Sequence, residues 1–354
     1  MDNNAAHSLL NHELSNGWKV INKIERDVNQ SGSNFSVGYI VKKGKEECFL
    51  KAFDFAGFLS IAGPASNGGE INVVDVMNDM TTAFIYERDL SELCKNNHVT
   101  KVSVVKESGQ VFIQGNAIPV VPYLIFELAE NGDIRKHLNF SSRLDSTWKL
   151  KSLHEIAIGL KQLHQIEVTH QDLKPSNVLV FNTGSKIGDL GRSMCKDMDG
   201  PYNKLVFTGD WTYAPPEMMY RYYEKEWIKR VFATDCYLLG SLIVFYFSGI
   251  SMTALLRKHL DDEFSWERWR GEYEEIVPYL EHAFVCALEE FGNNISEDYL
   301  RVELKKIVEY LCMPFPTKRG HSKNLNGIGN QYSLERFISK LDLLVRKSEQ
   351  LLKK

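Results

Sequence analysis

Residues 169–180 read Thr-His-Gln-Asp-Leu-Lys-Pro-Ser-Asn-Val-Leu-Val and place three complementary side chains within six positions. Asp172 offers a carboxylate that accepts a proton. Lys174 offers an ammonium that neutralises developing negative charge, and Asn177 an amide oxygen suited to a hard cation such as magnesium. Pro175 fixes the turn between the last two. The apolar runs 166–168 and 178–181 read as short strands that would hold this loop rigid. Further on, Ser185-Lys-Ile-Gly-Asp-Leu-Gly-Arg192 supplies a second carboxylate, Asp189, before a flexible Leu-Gly. A hairpin between Asn177 and Asp189 would bring that carboxylate to the same cation.

The elements that must position this chemistry begin with a strand-like stretch over 18–53. It contains Val20 and Ile21, a polar turn at 29–34, an alternating run at 35–41 and a second at 48–53, and it predicts an antiparallel meander. Gly32 and Gly38 flank a turn whose backbone N–H groups could drape over phosphates. Lys51 interrupts an apolar strand, where an unpaired ammonium is costly, so it requires an anionic partner. Glu87 is the candidate, on a helix over 80–94 whose apolar stripe reads Phe84, Ile85, Leu90 and Leu93. Residues 54–79, with Gly-Pro-Ala-Ser-Asn-Gly-Gly at 63–69, read as a surface insertion. Strands follow at 102–106, 111–114 and 120–128. The break at 129–133 marks a lobe boundary, beyond which the pattern is nearly all helical. Leu153, Ile156, Ala157, Leu160 and Leu163 form an amphipathic helix leading into the central loop. Leu334, Phe337, Ile338, Leu341, Leu344 and Val345 form another, packed on the larger lobe.

A chain of 354 residues accommodates two lobes and a cleft. The net charge of -4, with no large basic block, argues against a nucleic-acid surface. The six cysteines form no CxxC pair, which fits reduced thiols better than disulfides or zinc. Residues 1–18 lack both a basic start and an apolar core, so a secretory signal is not expected. The charge-free run 236–256 has spanning length, but Gly, Ser and Thr dilute it, and Ser248-Gly249 reads as a helix stop. It predicts a buried core helix over about 234–247, with no membrane partner and a cytoplasmic chain.

Taken in order, these residues resemble the eukaryotic-type serine/threonine protein kinase family over nearly the whole chain, with traits of a bacterial branch. The fold class implied is α+β, a bilobal protein kinase fold. Its small lobe is a mostly antiparallel β-sheet with one key helix, and its larger lobe is mainly α-helical. The divisions would be a 1–17 extension, an 18–129 small lobe carrying the 54–79 insertion, and a 130–354 large lobe. His170 to Asn177 resembles the catalytic loop, Asp189-Leu-Gly191 the DFG motif, and Pro215-Pro-Glu217 the APE motif. Arg319 resembles the arginine that pairs with Glu217, and Asp235 the aspartate heading the central helix.

The resemblance implies ATP and Mg2+ as cofactors and protein hydroxyls as substrates, with self-phosphorylation among the expected reactions. Asp172 would be the base, Lys174 the stabiliser of the transferring group, Asn177 and Asp189 the metal ligands, and Lys51 with Glu87 the phosphate-positioning pair. Gly32, Gly38, Glu127, Ala129, Asp133 and Leu179 would line the nucleotide, with Phe126 as gatekeeper. Thr208 would be the foremost regulatory hydroxyl of the activation segment.

Four departures stand out. Gln171 replaces an arginine, the glycine loop is serine-rich, Phe49 stands where a small alanine is usual, and Asp210 replaces a threonine. A pseudokinase scaffold is the competing reading, and an aminoglycoside-type phosphotransferase a more distant one.

Overall fold

Alternating apolar and polar side chains build a five-stranded antiparallel sheet in the first of two units. The computed structural model describes residues 4–25, 36–61, 72–138, 145–327 and 329–353. One unit comprises 1–98 and 102–131, the other 99–101 and 132–354. The first contains β1 (Lys19–Lys23), β2 (Ser36–Lys43), β3 (Glu46–Phe53), α1 (Phe55–Ile61), α2 (Val73–Asn96), β4 (Val105–Phe112) and β5 (Val120–Glu127). Strand order is β1-β2-β3-β5-β4.

Because successive strand residues face opposite ways, the sheet buries two apolar layers. One gathers Leu50, Tyr123 and Ile125 with Tyr39, and the N-terminal residues Ala5, Ala6, Leu9, Leu14 and Trp18 pack into it. The other gathers Phe53, Leu124 and Phe126 with Phe55 of α1 and Met80 of α2.

The meander expected over 18–53 is formed, although its turn, including Gly32, lies outside the described residues. Three other readings are corrected. Residues 54–79 are not simply a surface insertion: they supply α1 and the first turns of α2, which starts at Val73 and not near residue 80. The two strands read at 102–106 and 111–114 are one continuous strand, β4. Within β4 a Cβ on Gly109 would collide with the Tyr123 phenol, so the glycine admits a cross-strand ring. Ile85, assigned to the apolar stripe of α2, is exposed, and the buried face runs instead through Tyr86, Glu87, Leu90 and Cys94.

The second unit is chiefly helical. It comprises α3 (Ile134–Leu138), α4 (Ser146–Gln165), β6 (Val168–Thr169), β7 (Val178–Phe181), β8 (Gly184–Ile187), β9 (Met194–Cys195), α5 (Pro216–Met219), α6 (Trp227–Ser248), α7 (Met252–His259), α8 (Tyr273–Asn293), α9 (Asp298–Cys312), α10 (Ser322–Leu325) and α11 (Glu335–Leu352). Helix α4 starts where the Asp145 carboxylate accepts the Trp148 amide at 2.6 Å, and it buries all five residues of its predicted stripe. Helix α11 packs on α4, as its spacing predicts.

Helix α6 is longer than the expected 234–247 and ends at Gly249, whose φ of 74° suits a glycine cap. Among the described residues it is the one helix long and apolar enough to cross a membrane, and most of its length is buried inside the unit.

Candidate active site

In the first unit the structure brings Lys51 and Glu87 together. Lys51 Nζ lies 2.9 Å and 2.8 Å from the two Glu87 carboxylate oxygens. Glu87 is 3% exposed, so its charge is sheltered from water, and removing either partner would leave the other charge without compensation. Gly38 is the β2 residue directly opposite Lys51. A Cβ there would press on the Phe49 ring, which explains why the position across from the lysine is a glycine beside a large aromatic. Phe49 itself joins the apolar layer of α2, its ring centroid 6.3 Å from that of Phe126.

In the second unit the central loop leaves β6, which pairs antiparallel with β9, and closes in a 3-10 turn at Pro175–Asn177 before β7. Both Asp172 oxygens are engaged. Oδ1 accepts the Asp210 backbone N–H at 2.7 Å. Oδ2 accepts Asn177 Nδ2 at 3.1 Å and stands 3.2 Å from Lys174 Nζ. Asn177 Nδ2 also donates to the Asp172 carbonyl at 2.8 Å, which fixes the amide orientation.

Hairpin β7–β8 has the predicted form, and Gly188 N–H donates to the Asn177 carbonyl at 2.8 Å, so Asp189 leaves the hairpin beside the loop. Asp189 has a φ of 57°, and its Oδ1 accepts the Gly191 amide at 3.3 Å. A strained backbone at a polar loop is a common mark of a functional position.

Electrostatics in this loop are set by burial first. It pushes the Asp172 carboxyl above its ordinary range by more than Lys174, the Asp210 amide and His170 pull it down, and Asp189 adds to the rise. Burial opposes the Lys174 charge, but Asp172 and Asp210 outweigh it and the ammonium is held raised. Asp210 is lowered despite its burial, because the Thr212 hydroxyl and amide and Lys174 favour its charged form. Asp172 and Lys174 therefore move in the same direction although they form an ion pair. For the carboxylate, loss of water outweighs one cation.

The family described as protein kinase domain matches residues 71–325. The chain belongs to the protein kinase domain family. Similar proteins include the Aurora/IPL1-related protein kinase 2 of Caenorhabditis elegans, 38% identical over 27% of this chain and 31% of its own length. The serine/threonine-protein kinase atg1 of Dictyostelium discoideum is 32% identical over 43% of this chain and 23% of its own. The human serine/threonine-protein kinase H2 is 27% identical over 47% and 43% respectively. The chain thus spans less than half the length of each of these relatives. Lys51 lies ahead of the matched stretch, so its pairing with Glu87 is a separate observation from the family match.

Within this kinase domain several residues differ from their sequence readings. Asp235 does not head α6 but lies well inside it, fully buried. It accepts the N–H groups of His170 at 2.9 Å and Gln171 at 2.8 Å. Gln171 is also fully buried, at a φ of 63°, and its Nε2 donates to the Val231 carbonyl at 2.9 Å. It is thus an anchor to α6. Thr208 is 5% exposed and donates to the Arg192 carbonyl at 2.6 Å, so its hydroxyl is spoken for in this structure. Asp210, by contrast, fills the structural cap that its place in the sequence also allowed: its Oδ1 accepts the Thr212 amide at 3.0 Å and hydroxyl at 2.7 Å, and its Oδ2 stands 3.2 Å from Lys174 Nζ.

Of the residues expected around a nucleotide, Phe126 is buried, Glu127 ends β5 and is exposed, and Ala129 is half-buried. Asp133 is paired with Arg135, at 2.9 Å and 3.0 Å, at the head of α3. Leu179 lies on β7 and would be struck by a Cβ on Gly188.

His164 was not singled out in the sequence. Its ring stacks on Phe232 at 4.3 Å, and its Nε2 lies 2.9 Å from Asp235. Its place in the last turn of α4, just before the loop, was the available signal.

Gly209 shows how tightly the loop is fitted, since a Cβ there would collide with the Gln171 carbonyl oxygen and the Phe207 ring. Gly209→Ala is expected to cost about 1–3 kcal/mol, as overpacking does. The expected readouts are a lower midpoint in thermal unfolding and a lower turnover, and an unchanged midpoint would show that the segment yields freely.

Proposed function

We propose that the chain is an ATP-dependent serine/threonine protein kinase, acting on protein substrates in the cytoplasm. The observation that carries this reading is the contact set around Asp172: a buried, raised carboxylate held by the Asp210 amide and Asn177, with Lys174 at 3.2 Å. In the proposed step Asp172 takes the proton of the substrate hydroxyl. The hydroxyl oxygen bonds to the γ-phosphorus, the bond to the bridging oxygen of ADP breaks, and Lys174 offsets the charge on the transferring group. Lys51, oriented by Glu87, would contact the nucleotide phosphates.

Magnesium fits the donors present. Among the described residues no cluster of three or more His, Cys, Asp or Glu side chains could hold a metal alone. Magnesium, however, takes one or two protein oxygens and completes its shell with water and phosphates. Asn177 meets that need: its Nδ2 is committed to Asp172, and among the described residues Oδ1 has a long 3.4 Å contact from Ser176. Asn177 with Asp189 would hold the ion, which would neutralise phosphate charge when bound.

The net charge of -4 and the burial of α6 support an absence of nucleic-acid and membrane partners. The bacterial branch rests on the sequence of 54–79 and the serine-rich turn alone. Self-phosphorylation would have to bypass Ser193 and Thr208, both buried.

Purified protein incubated with γ-labelled ATP, magnesium and a mixed protein substrate tests the reading beside an Asp172→Ala control. Loss of the base is expected to lower transfer roughly 10²–10⁴-fold. Equal, background labelling from both would leave the pseudokinase scaffold as the better account. Because the Asp172 carboxyl is raised, kcat/KM is expected to fall, as pH drops, at a value above the ordinary carboxylate pKa of about 3.9.

A further inference from the structure

We propose that Asp54 is a positioning residue for the Lys51–Glu87 pair, and that residues 4–14 act through it as a built-in brace. This deepens the kinase reading, on which it rests for the role of that pair. Asp54 follows β3 directly, three positions after Lys51, and is 5% exposed. Its carboxylate accepts Asn4 Nδ2 at 2.8 Å, His7 Nε2 at 3.1 Å and the Gly57 amide of α1 at 2.7 Å. A Cβ on Gly57 would run into that carboxylate, so the glycine is what lets the helix start close against it. Lys23 Nζ, which can only donate, stands 3.3 Å from His7 Nδ1 and so leaves the Nε2 proton for Asp54.

The N-terminal side of this knot is itself fixed. Asn4 caps the 3-10 turn Ala5–His7 by accepting the Ala6 amide at 3.0 Å, and the Ala6 carbonyl accepts the hydroxyl of buried Tyr39 at 2.8 Å. That turn packs against α1, β2 and β5. On the other side, Phe55 and Phe58 of α1 share one apolar cluster with Met77, Met80 and Phe84 of α2. Phe53 meets Phe84 edge-on at 5.1 Å, and Phe84 lies one turn before Glu87. One buried carboxylate therefore joins the N-terminal segment, the strand bearing Lys51 and, through α1, the helix bearing Glu87. Hydrogen bonds to a buried charge are among the stronger ones, and removing their donors leaves that charge under-satisfied.

The test uses the full chain carrying Asn4→Ala with His7→Ala, read by hydrogen exchange and by steady-state kinetics. Two lost bonds to a buried carboxylate are expected to speed amide exchange along α2 about 10-fold or more, and to raise the KM for ATP by a similar factor. The KM for the protein substrate and the exchange of 132–354 should hold. His7→Gln in the otherwise unchanged chain, whose amide can still donate to Asp54, should keep both readouts near the original, whereas His7→Ala should not. If the double variant does not fold, the comparison of His7→Ala with His7→Gln decides alone. Faster exchange confined to residues 4–14, with α2 protection and the KM for ATP unchanged, would overturn the proposal. Exchange along α2 is read without catalysis, so an inactive wild-type chain would sink the kinase reading and leave the brace still decidable.

Discussion

Arg319→Ala is expected to destabilise the helical unit by about 3–5 kcal/mol, the usual result of leaving one member of a buried ion pair alone. Arg319 is completely buried. It holds Glu217 through two parallel bonds, Nη1 to Oε1 at 2.7 Å and Nη2 to Oε2 at 2.8 Å. Its remaining donors go to carbonyls: Nε to Met313 at 2.9 Å, Nη1 to Ala233 at 2.9 Å and Nη2 to Pro314 at 3.2 Å. That accounts for all five N–H groups of a guanidinium. Burial alone would disfavour its charge, but Glu217 more than compensates and holds the guanidinium charged.

The set of five acceptors makes a specific claim about substitutes. Arg319→Lys keeps a positive charge but lacks the planar fork, so most of the loss is expected to remain. Replacing both partners by apolar residues is often harmless for a simple buried pair. Here it would still take the guanidinium N–H groups away from the Met313 and Ala233 carbonyls, while Pro314 keeps the Tyr273 hydroxyl at 2.8 Å, so the double variant is expected to recover only part of the loss. Thermal unfolding should fall by roughly 6–20 °C for Arg319→Ala. A fall of a degree or less would show that water replaces the guanidinium and that the pair contributes little.

How far this architecture was legible in the sequence depended on whether a residue's own chemistry, or neighbours close in the chain, called for its partner. Lys51 announced a partner because an ammonium in an apolar strand needs one, and Glu87 answers it at 2.8 Å. The same pairing explains the misread face of α2. The helix turns Glu87 inward to meet the lysine, which carries Ile85 out to solvent, so an apolar count alone chose the wrong stripe. The Asp172, Lys174 and Asn177 cluster was legible because its chemistry sits within six positions.

What stayed hidden was contact at long separation that neither a charge in need of a partner nor the family resemblance marked. Residues 5–18 have no helical or strand period, only a short 3-10 turn and scattered apolar side chains. Yet Trp18 and Leu9 are buried against a sheet assembled from strands as far as β5. Gln171 looked like a gap where a charge was missing, and only the fold shows it pointing its amide at Val231, 60 positions away. Asp210 likewise reached Asp172 through its backbone, which no side-chain pattern reports.

Asp235 is where these distant contacts converge, and its substitution is expected to separate turnover from nucleotide affinity. Its carboxylate receives four donors: the amides of His170 at 2.9 Å and Gln171 at 2.8 Å, Gln171 Nε2 at 3.2 Å, and His164 Nε2 at 2.9 Å. Two of these are consecutive backbone amides of the loop, and they hold Gln171 in the left-handed region, a conformation that costs a non-glycine residue about 1–3 kcal/mol. Asp235→Asn looks mild but is not. It keeps one acceptor oxygen and places an amide N–H₂ where other N–H groups already point, so donors face donors.

Without the carboxylate, the strained Gln171 backbone is free to relax, and Asp172, the next residue, moves with it. A displacement near 1 Å at a reacting group can cost about 10²-fold in rate. Asp235→Asn is therefore expected to lower kcat by about that factor and thermal stability by several degrees, with the KM for ATP nearly unchanged. A variant that keeps its unfolding midpoint and its kcat would show that His170 and Gln171 hold the loop without this helix, and that the left-handed turn is stable by itself.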